Sequence, residues 1–554
     1  MRRRDLQKEK EEIFSDGSVD SAPSRSFFTS FLIALHLVIA LPLAYFLNIW
    51  MDEASTLYTT EKGFVQTFQN VFADEKQAPL YFLILSLWRI ASGSIFWARL
   101  FSILCSALAI KFFVSTAQKF FDRSEARFIS VLFALSPFLI QTSIEIRGYS
   151  LTILLSVLLL KFFAEGYLNF QKDEAEARKK QRIFFLLTAV VALYTNYYLG
   201  FALVGFFLVL IVTGKHTEAK KYFLQMLSVL LAITPLLWIV KQQLAVNTSG
   251  FQEERTLLTG MRHLWNHALT MLFPTEFYAP ATQTSVSFFR LWLVRFGILM
   301  LVLLAGKHVF KIAKIFFENR RCGDGRFNFR LYESDPKFLR FVQPVLIFGV
   351  TAATVGAFLL VAYFLLGSIY VELRHMAVWF VPLVLFVFSL LAMLLPRRSW
   401  IFFVVLMAFF YSYSFYRSYA PMAKRGDWIR VARYIEANEK PNQPIIVFQN
   451  YDALSLPYHY RGVNKILPDK NFFAWSFEAD PASEGAFRKQ IEFVIGEIPP
   501  DAEEIWLATE ETCHHEKTRK ACQPLENYIE ANYTIEKERD FYLEKVRLLR
   551  KKSR

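Results

Sequence analysis

The chain has 554 residues, of which 54% are hydrophobic and only 20% charged, with 58 Phe in an aromatic share of 17%. Its mean hydropathy of +0.28 excludes an ordinary soluble protein, because the apolar residues fall in blocks of about 17 to 25, enough to cross a hydrocarbon core of about 30 Å. The net charge of +14 does not require a nucleic-acid partner, since cytoplasmic loops of membrane proteins collect Lys and Arg, and 4 Cys are too few for a disulfide scaffold.

A basic start, "MRRRDLQKEK", opens a cytoplasmic stretch 1–26. The apolar run 27–48 is too long for a cleavable signal and has no clear small-residue cleavage site after it, so it reads as a retained first span. Further spans are expected at 95–118, 126–142, 149–168, 183–198, 199–213, 222–240, 291–310, 341–366, 376–395 and 400–416, about eleven in all. The segment 79–92, "PLYFLILSLWRIAS", is apolar but short; Pro79, Trp88 and Arg89 suit a helix lying at the interface. With the N-terminus inside, the inner loops 1–26, 118–127, 169–182, 214–221, 307–340 and 396–398 hold about 28 Lys and Arg, against about 9 in the outer loops before residue 417. Treating 79–92 as a span would move the basic "KKQR" at 179–182 outside and spoil that pattern.

The outer side then receives 49–94, 143–148, 241–290 and 367–375. From Arg417 onward charge rises, and helix-like "DWIRVARYIEAN" alternates with strand-like "PIIVF", "EIWLA" and "FYLEKVRLL". The expected architecture is an all-α polytopic membrane domain over 27–416, with interfacial helices in loop 49–94, followed by a small extracytoplasmic α/β domain over 417–554.

Chemistry-bearing residues gather at the outer ends of the spans. Asp52-Glu53 follows the first span, Asp74-Glu75 leads into "KQAPLY", and the short second outer loop holds "SIEIRGYS" with Glu145, Arg147 and Tyr149. Charges at such depth are costly unless they are paired or face a water-filled cavity. A carboxylate can deprotonate an acceptor hydroxyl, and an arginine fork can hold a phosphate leaving group bidentately. That combination suits glycosyl transfer from a lipid-phosphate sugar.

"MDEAST", "DEKQAPLYFLILSLW" and "SPFLIQTSIEIRGYSL", in this order and spacing, resemble the GT-C glycosyltransferase superfamily over about residues 27–240. The nearest relatives would be bacterial Rgt-like lipopolysaccharide sugar transferases, with protein O-mannosyltransferases and aminoarabinose transferases more distant. The resemblance implies that Asp52 is the catalytic base with Glu53 its neighbour, and that Glu145, Arg147 and Tyr149 form the family-like "E-x-R-x-Y". Where relatives often carry His-Pro-Pro-Leu-Tyr, Pro79, Leu80 and Tyr81 match while Gln77 and Ala78 depart, which leaves the role of Gln77 in acceptor or phosphate binding open. "YVELRHMAVWFVPL" is similar to the family's late arginine region and makes Arg374 a second phosphate candidate. The resemblance further implies catalysis on the outer face of a bacterial inner membrane with a polyprenyl-phosphate sugar donor.

Each residue also has a plainer reading. Asp52 and Glu53 fit a solvated boundary, Asp74 a solvated loop, Glu145 with Arg147 a structural ion pair, and Tyr149 an interfacial belt aromatic. His263 and His267 lie four apart on one helical face; a polar interfacial helix fits them better than a zinc site, because the companion Glu motif is missing. Cys513 and Cys522 read as a disulfide, with a Cys/His site using His514 and His515 the weaker alternative. No Gly-rich phosphate loop is present, so a nucleotide donor has no support and no cofactor is required; metal dependence is left open.

The expected function is a membrane glycosyltransferase, inverting if the displacement is single. Asp52 and Glu145 are the catalytic pair, and Glu53, Asp74, Gln77, Pro79, Tyr81, Arg147, Tyr149 and Arg374 surround the substrates. Its partners are the polyprenyl-phosphate sugar, membrane lipid and a glycolipid or protein acceptor, with no nucleic acid. A transporter or flippase of lipid-linked sugars is the alternative; it predicts charges in mid-span and paired broken helices.

Overall fold

The computed structural model describes residues 23–73, 77–168, 175–245, 256–273, 342–367, 371–394, 400–424, 426–448, 454–468, 491–510, 513 and 522–553. The expected span at 291–310, most of the stretch 274–341, and His514 and His515 lie outside them.

The first apolar run forms α1 (Pro23–Phe46), and the chain turns at once into the short α2 (Met51–Thr59) and α3 (Phe64–Ala73). The segment after Pro79 is α4 (Leu80–Trp88), 9 residues and so only about 13 Å long, well short of a bilayer. It is fixed to α5 (Ile95–Phe120) by Trp88 stacking on Trp97 at 4.7 Å, each indole N–H donating to the other residue's carbonyl at 2.8 and 2.9 Å.

The apolar run expected at 126–142 is broken. It folds as α6 (Arg123–Ala134) and α7 (Pro137–Ser143), bent by 49°. Pro137 is the cause: it disfavours helical geometry at Ser136, whose ψ of 124° is extended, and then opens α7 at its first turn. After the loop 144–148 come α8 (Tyr149–Tyr167), α9 (Ala175–Thr195) and α10 (Leu199–Val212). The run expected at 222–240 likewise divides into α11 (His216–Ala232) and α12 (Thr234–Ala245), bent by 58° before Pro235. Then follow α13 (Leu257–Leu272), α14 (Gln343–Leu366), a 3₁₀ turn (Leu373–Met376), α15 (Ala377–Leu394) and α16 (Trp400–Tyr419).

Among the described residues 5 helices are long and apolar enough to cross a membrane, or up to 7 if each bent pair is one span. The chain is therefore an integral multi-pass membrane protein, and eleven spans is not the number these residues display. Neither α9, which begins with the charged "AEARKKQR", nor the 14-residue α10 meets the criterion. Helix α8 packs against α5 and α9, and α14 against α10 and α15. Aromatic stacking fills these contacts, as with Phe113 on Phe133 at 3.9 Å and Phe163 on Phe206 at 4.5 Å.

Beyond α16 the pattern changes to α17 (Trp428–Asn438), β1 (Ile445–Phe448), β2 (Ile466–Leu467), β3 (Glu504–Glu510), α18 (Gln523–Asn532), β4 (Tyr533–Asp540) and β5 (Glu544–Lys551). The sheet order is β2-β1-β3-β5-β4, parallel on the β1 side and antiparallel on the β5 side. Its central strands β1 and β3 are buried along most of their length, as a sheet covered on both faces requires. A disulfide joins Cys513 to Cys522.

This C-terminal unit docks on the turn between α1 and α2. Asn48 and Lys424 exchange two hydrogen bonds, Asn48 Nδ2 to Lys424 O at 2.9 Å and Lys424 N to Asn48 Oδ1 at 3.0 Å. The Ile49 N–H donates to His459 Nε2 at 3.2 Å.

Candidate active site

"WMDEAST" supplies the first turn of α2, and there the two neighbouring carboxylates part company. Glu53 turns inward and is wholly buried. Its carboxylate accepts from Arg99 Nε and Nη2, both at 3.0 Å, from Lys424 Nζ at 2.9 Å and from the Ile146 N–H at 3.1 Å. Burial alone would push this carboxyl up, but the charges and hydrogen bonds of Arg99 and Lys424 outweigh it and hold it below the ordinary carboxylate range. Arg99 also donates to the carbonyls of Ala44, Leu47 and Asn48, closing the otherwise orphaned C-terminal end of α1. Lys424 reaches the Ile144 carbonyl at 3.4 Å and lies 3.9 Å from Glu145. One buried ionic hub thus ties together α1, α2, α5, the loop 144–148 and the segment after α16.

Asp52, one residue earlier, points the other way. Its carboxylate is bonded by Arg374 Nη1 from the 3₁₀ turn and lies 3.7 Å from Arg147 Nη2. Arg147 is held in turn by Thr56 Oγ1 at 3.0 Å, and Arg374 by Glu372 at 2.8 Å and by the Trp50 ring 5.7 Å away. The two arginines arrive from loops more than 200 residues apart in sequence and converge on one aspartate oxygen. Two guanidinium groups thus flank the Asp52 carboxylate, and Glu372 pairs the second of them.

Beside this cluster lies a small cavity of about 20 Å³, lined by Trp50, Gln141, Glu145, Tyr149, Leu373 and Arg374 among others. It is room for about one water molecule. Two polar atoms of its lining, the Tyr149 hydroxyl and Gln141 Oε1, are buried without a hydrogen-bond partner among the described residues. Such atoms are costly to leave unsatisfied, so a polar occupant is what they call for.

The site expected from the sequence is thus brought together for Asp52, Glu145, Arg147, Tyr149 and Arg374. Tyr81 is buried behind it: its Cγ would lie 3.3 Å from a Cβ at Gly148, so a side chain there would press on the Tyr81 ring. Pro79 serves as the cap of α4, and Gln77 lies two residues before it, half-buried. Glu53 is placed in the hub and not in the cavity lining. Asp74, with Glu75 and Lys76, lies outside the described residues.

His263 and His267 on α13 lie with their Nε2 atoms 3.0 Å apart, and His263 Nε2 is 2.8 Å from the Val371 carbonyl. No group of three or more His, Cys, Asp or Glu suited to a metal ion occurs among the described residues.

Two members of the hub were missed by reading the sequence. Arg99 had a signal, a charged residue inside an expected span. Lys424 had none, since it sits in an ordinary charged run and its partner is 371 residues away.

The chain matches no protein-family model and no curated protein. Among solved structures it is similar to ArnT from Cupriavidus metallidurans in the apo state, with TM-score 0.43 and 12% identity over 95% of this chain and 98% of that one. The same protein bound to undecaprenyl phosphate gives TM-score 0.42 and 13% identity over 94% and 97%. The archaeal oligosaccharyltransferase AglB from Archaeoglobus fulgidus, in complex with an inhibitory peptide and a dolichol-phosphate, gives 0.42 and 11% over 92% and 73%. These likenesses are weak in both sequence and shape, so the chemistry of the site has to be read from its own side chains.

Proposed function

We propose that this chain is a membrane glycosyltransferase of GT-C type that moves a sugar from a polyprenyl-phosphate carrier to an acceptor on the outer face of the membrane. The observation that carries the reading is the Asp52 carboxylate set between Arg147 and Arg374, beside a cavity whose Tyr149 hydroxyl and Gln141 Oε1 have no hydrogen-bond partner among the described residues. In the reaction, the acceptor hydroxyl gives its proton to Asp52 while its oxygen bonds to the anomeric carbon. The bond from that carbon to the phosphate oxygen breaks, and the electron pair leaves with the phosphate. Arg147 and Arg374 hold the charge that develops on that oxygen, which is where fixed cationic donors lower a barrier most. Glu145, which lines the same cavity, orients the acceptor. A single displacement of this kind inverts the anomeric configuration.

A polyprenyl-phosphate donor fits an arginine pair at the end of membrane helices, where a lipid carrier delivers its head group. Undecaprenyl phosphate and dolichol-phosphate, held by two of the similar structures, belong to that chemical class. The catalytic face and the C-terminal unit lie outside the cytoplasm in this reading, following the Lys and Arg bias of the loops.

Mass analysis of envelope glycolipids and glycoproteins, with and without the chain, tests the proposal. The expected result is loss of one saccharide mass from a defined acceptor class. Unchanged glycolipids and glycoproteins would refute it, and loss of every product dependent on one carrier would favour a transporter instead.

A further inference from the structure

A second cavity lies away from the ionic hub. It is a groove of about 830 Å³ between one face of α17 and the turn joining β4 to β5. The helix face is set by period: Arg430, Arg433, Tyr434 and Ala437 stand at i, i+3, i+4 and i+7. From the end of β4 comes Arg539, whose guanidinium lies 5.0 Å from the Tyr434 ring centre and 5.4 Å from that of Phe541. Tyr434 is itself braced edge-on by the buried Trp506 at 5.9 Å.

The charges of this groove do not cancel. Of its two carboxylates, Asp427 is bonded by Arg430 at 2.6 Å, and Asp540 lies 3.3 Å from Lys545 outside the groove. Arg433 and Arg539 make no ion pair with a carboxylate among the described residues. A merely solvated helix face explains single arginines but not one laid across two rings opposite another. Two unneutralised guanidinium groups, one held in place by aromatic faces, match a phosphate or carboxylate attached to a ring with apolar C–H faces. The volume falls within the range of about 300 to 1,000 Å³ usual for small-molecule sites.

The position narrows the ligand. Pro421, on the groove wall, is two residues past the end of α16. Asp427, joined to Pro421 through Arg430, is three residues from Lys424 of the buried hub, so their Cα atoms are at most about 11 Å apart. We propose that the groove binds a phosphate-bearing saccharide, the head group of an anionic membrane glycolipid, and so presents the acceptor to the neighbouring site. The groove's affinity stands on its own geometry; its identity as the acceptor subsite rests on the glycosyltransferase reading above.

The test uses the full chain in phosphatidylcholine nanodiscs, titrated with glucose 1-phosphate, inorganic phosphate and glucose, with discs containing phosphatidic acid as a separate arm. Glucose 1-phosphate is expected to bind most tightly, glucose alone not measurably. The double variant Arg433→Gln/Arg539→Gln is expected to weaken glucose 1-phosphate at least about tenfold while its unfolding temperature stays that of the wild type. Tyr434→Leu, which removes the ring under Arg539, should weaken it in the same sense. Equal binding by wild type and double variant overturns the proposal. So does inorganic phosphate or phosphatidic acid matching glucose 1-phosphate, because the groove is then only a basic surface. Asp52→Asn should bind like wild type. Arginine-dependent binding without any transfer leaves the groove standing and removes the enzyme, whereas transfer with arginine-independent binding does the reverse.

Discussion

Replacing Glu53 by Gln separates the two neighbouring carboxylates by what each holds together. Glu53 and Lys424 have fully buried side chains, as does Arg99, and the Glu53 carboxylate accepts five hydrogen bonds if the longer one from the Trp50 N–H at 3.4 Å is included. In Glu53→Gln two buried cations face only Glu145, which lies 3.9 Å from Lys424. Removing one partner of a buried ion pair costs about 3 to 5 kcal/mol, because the remaining charge is left uncompensated away from water. At about 1.4 kcal/mol per tenfold, that lowers the folded-to-unfolded ratio by roughly two to four orders of magnitude. The assay is thermal unfolding of purified protein in detergent, with membrane abundance measured in parallel. Glu53→Gln should fall far in both, while Asp52→Asn, whose partners Arg147 and Arg374 keep Thr56 and Glu372, should fall little. A Glu53→Gln protein as stable and abundant as wild type but inactive would refute this division of labour and make Glu53 the reacting carboxylate.

Three further outcomes follow from the same geometry. Arg374→Lys should raise KM for the lipid-linked donor at least about tenfold in steady-state transfer kinetics, because a point charge replaces a planar fork; an unchanged KM contradicts phosphate binding there. Gly148→Ala places a Cβ 3.3 Å from Tyr81 Cγ, tight enough to cost about 1 to 3 kcal/mol and to displace Arg147 and Tyr149, seen as a lower unfolding temperature with reduced transfer. Glu544 gives a pH prediction. Burial pushes its carboxyl well above the ordinary range, the Asp427 N–H that it accepts pulls it back, and the Asp427 carboxylate adds to the rise. The native state therefore holds a proton that the unfolded chain releases above about pH 4.3, so this group's contribution is complete below that pH and is lost as pH rises through its folded value. Glu544→Gln keeps the acceptor oxygen and should gain unfolding temperature relative to wild type as pH goes from about 5 to about 8; a constant difference contradicts it.

The helices were legible where an apolar run is uninterrupted, as at 95–118 and 149–168, because length alone carries that signal. It failed at 126–142 and 222–240, where a proline sits inside the run: hydropathy sums over Pro137 and Pro235, but the backbone bends there. Period gives no help in such segments, since lipid-facing and core-facing sides are equally apolar. The site was legible as far as local motifs reach. Asp52, Glu145, Arg147 and Tyr149 stand out as charged or polar residues at helix ends, and Arg374 as an arginine before a late span. What could not be read was the different environment of two adjacent acids. That depends on Arg99 and Lys424, which come from 46 and 371 residues away, and no local pattern encodes such pairings.

Transfer by Asp52→Asn in reconstituted proteoliposomes, supplied with a polyprenyl-phosphate sugar and membrane extract as acceptor, tests the central claim most directly. A general base contributes about 10² to 10⁴-fold, so transfer should fall by at least about a hundredfold while the protein inserts and accumulates normally. Wild-type transfer by that variant would contradict the assignment.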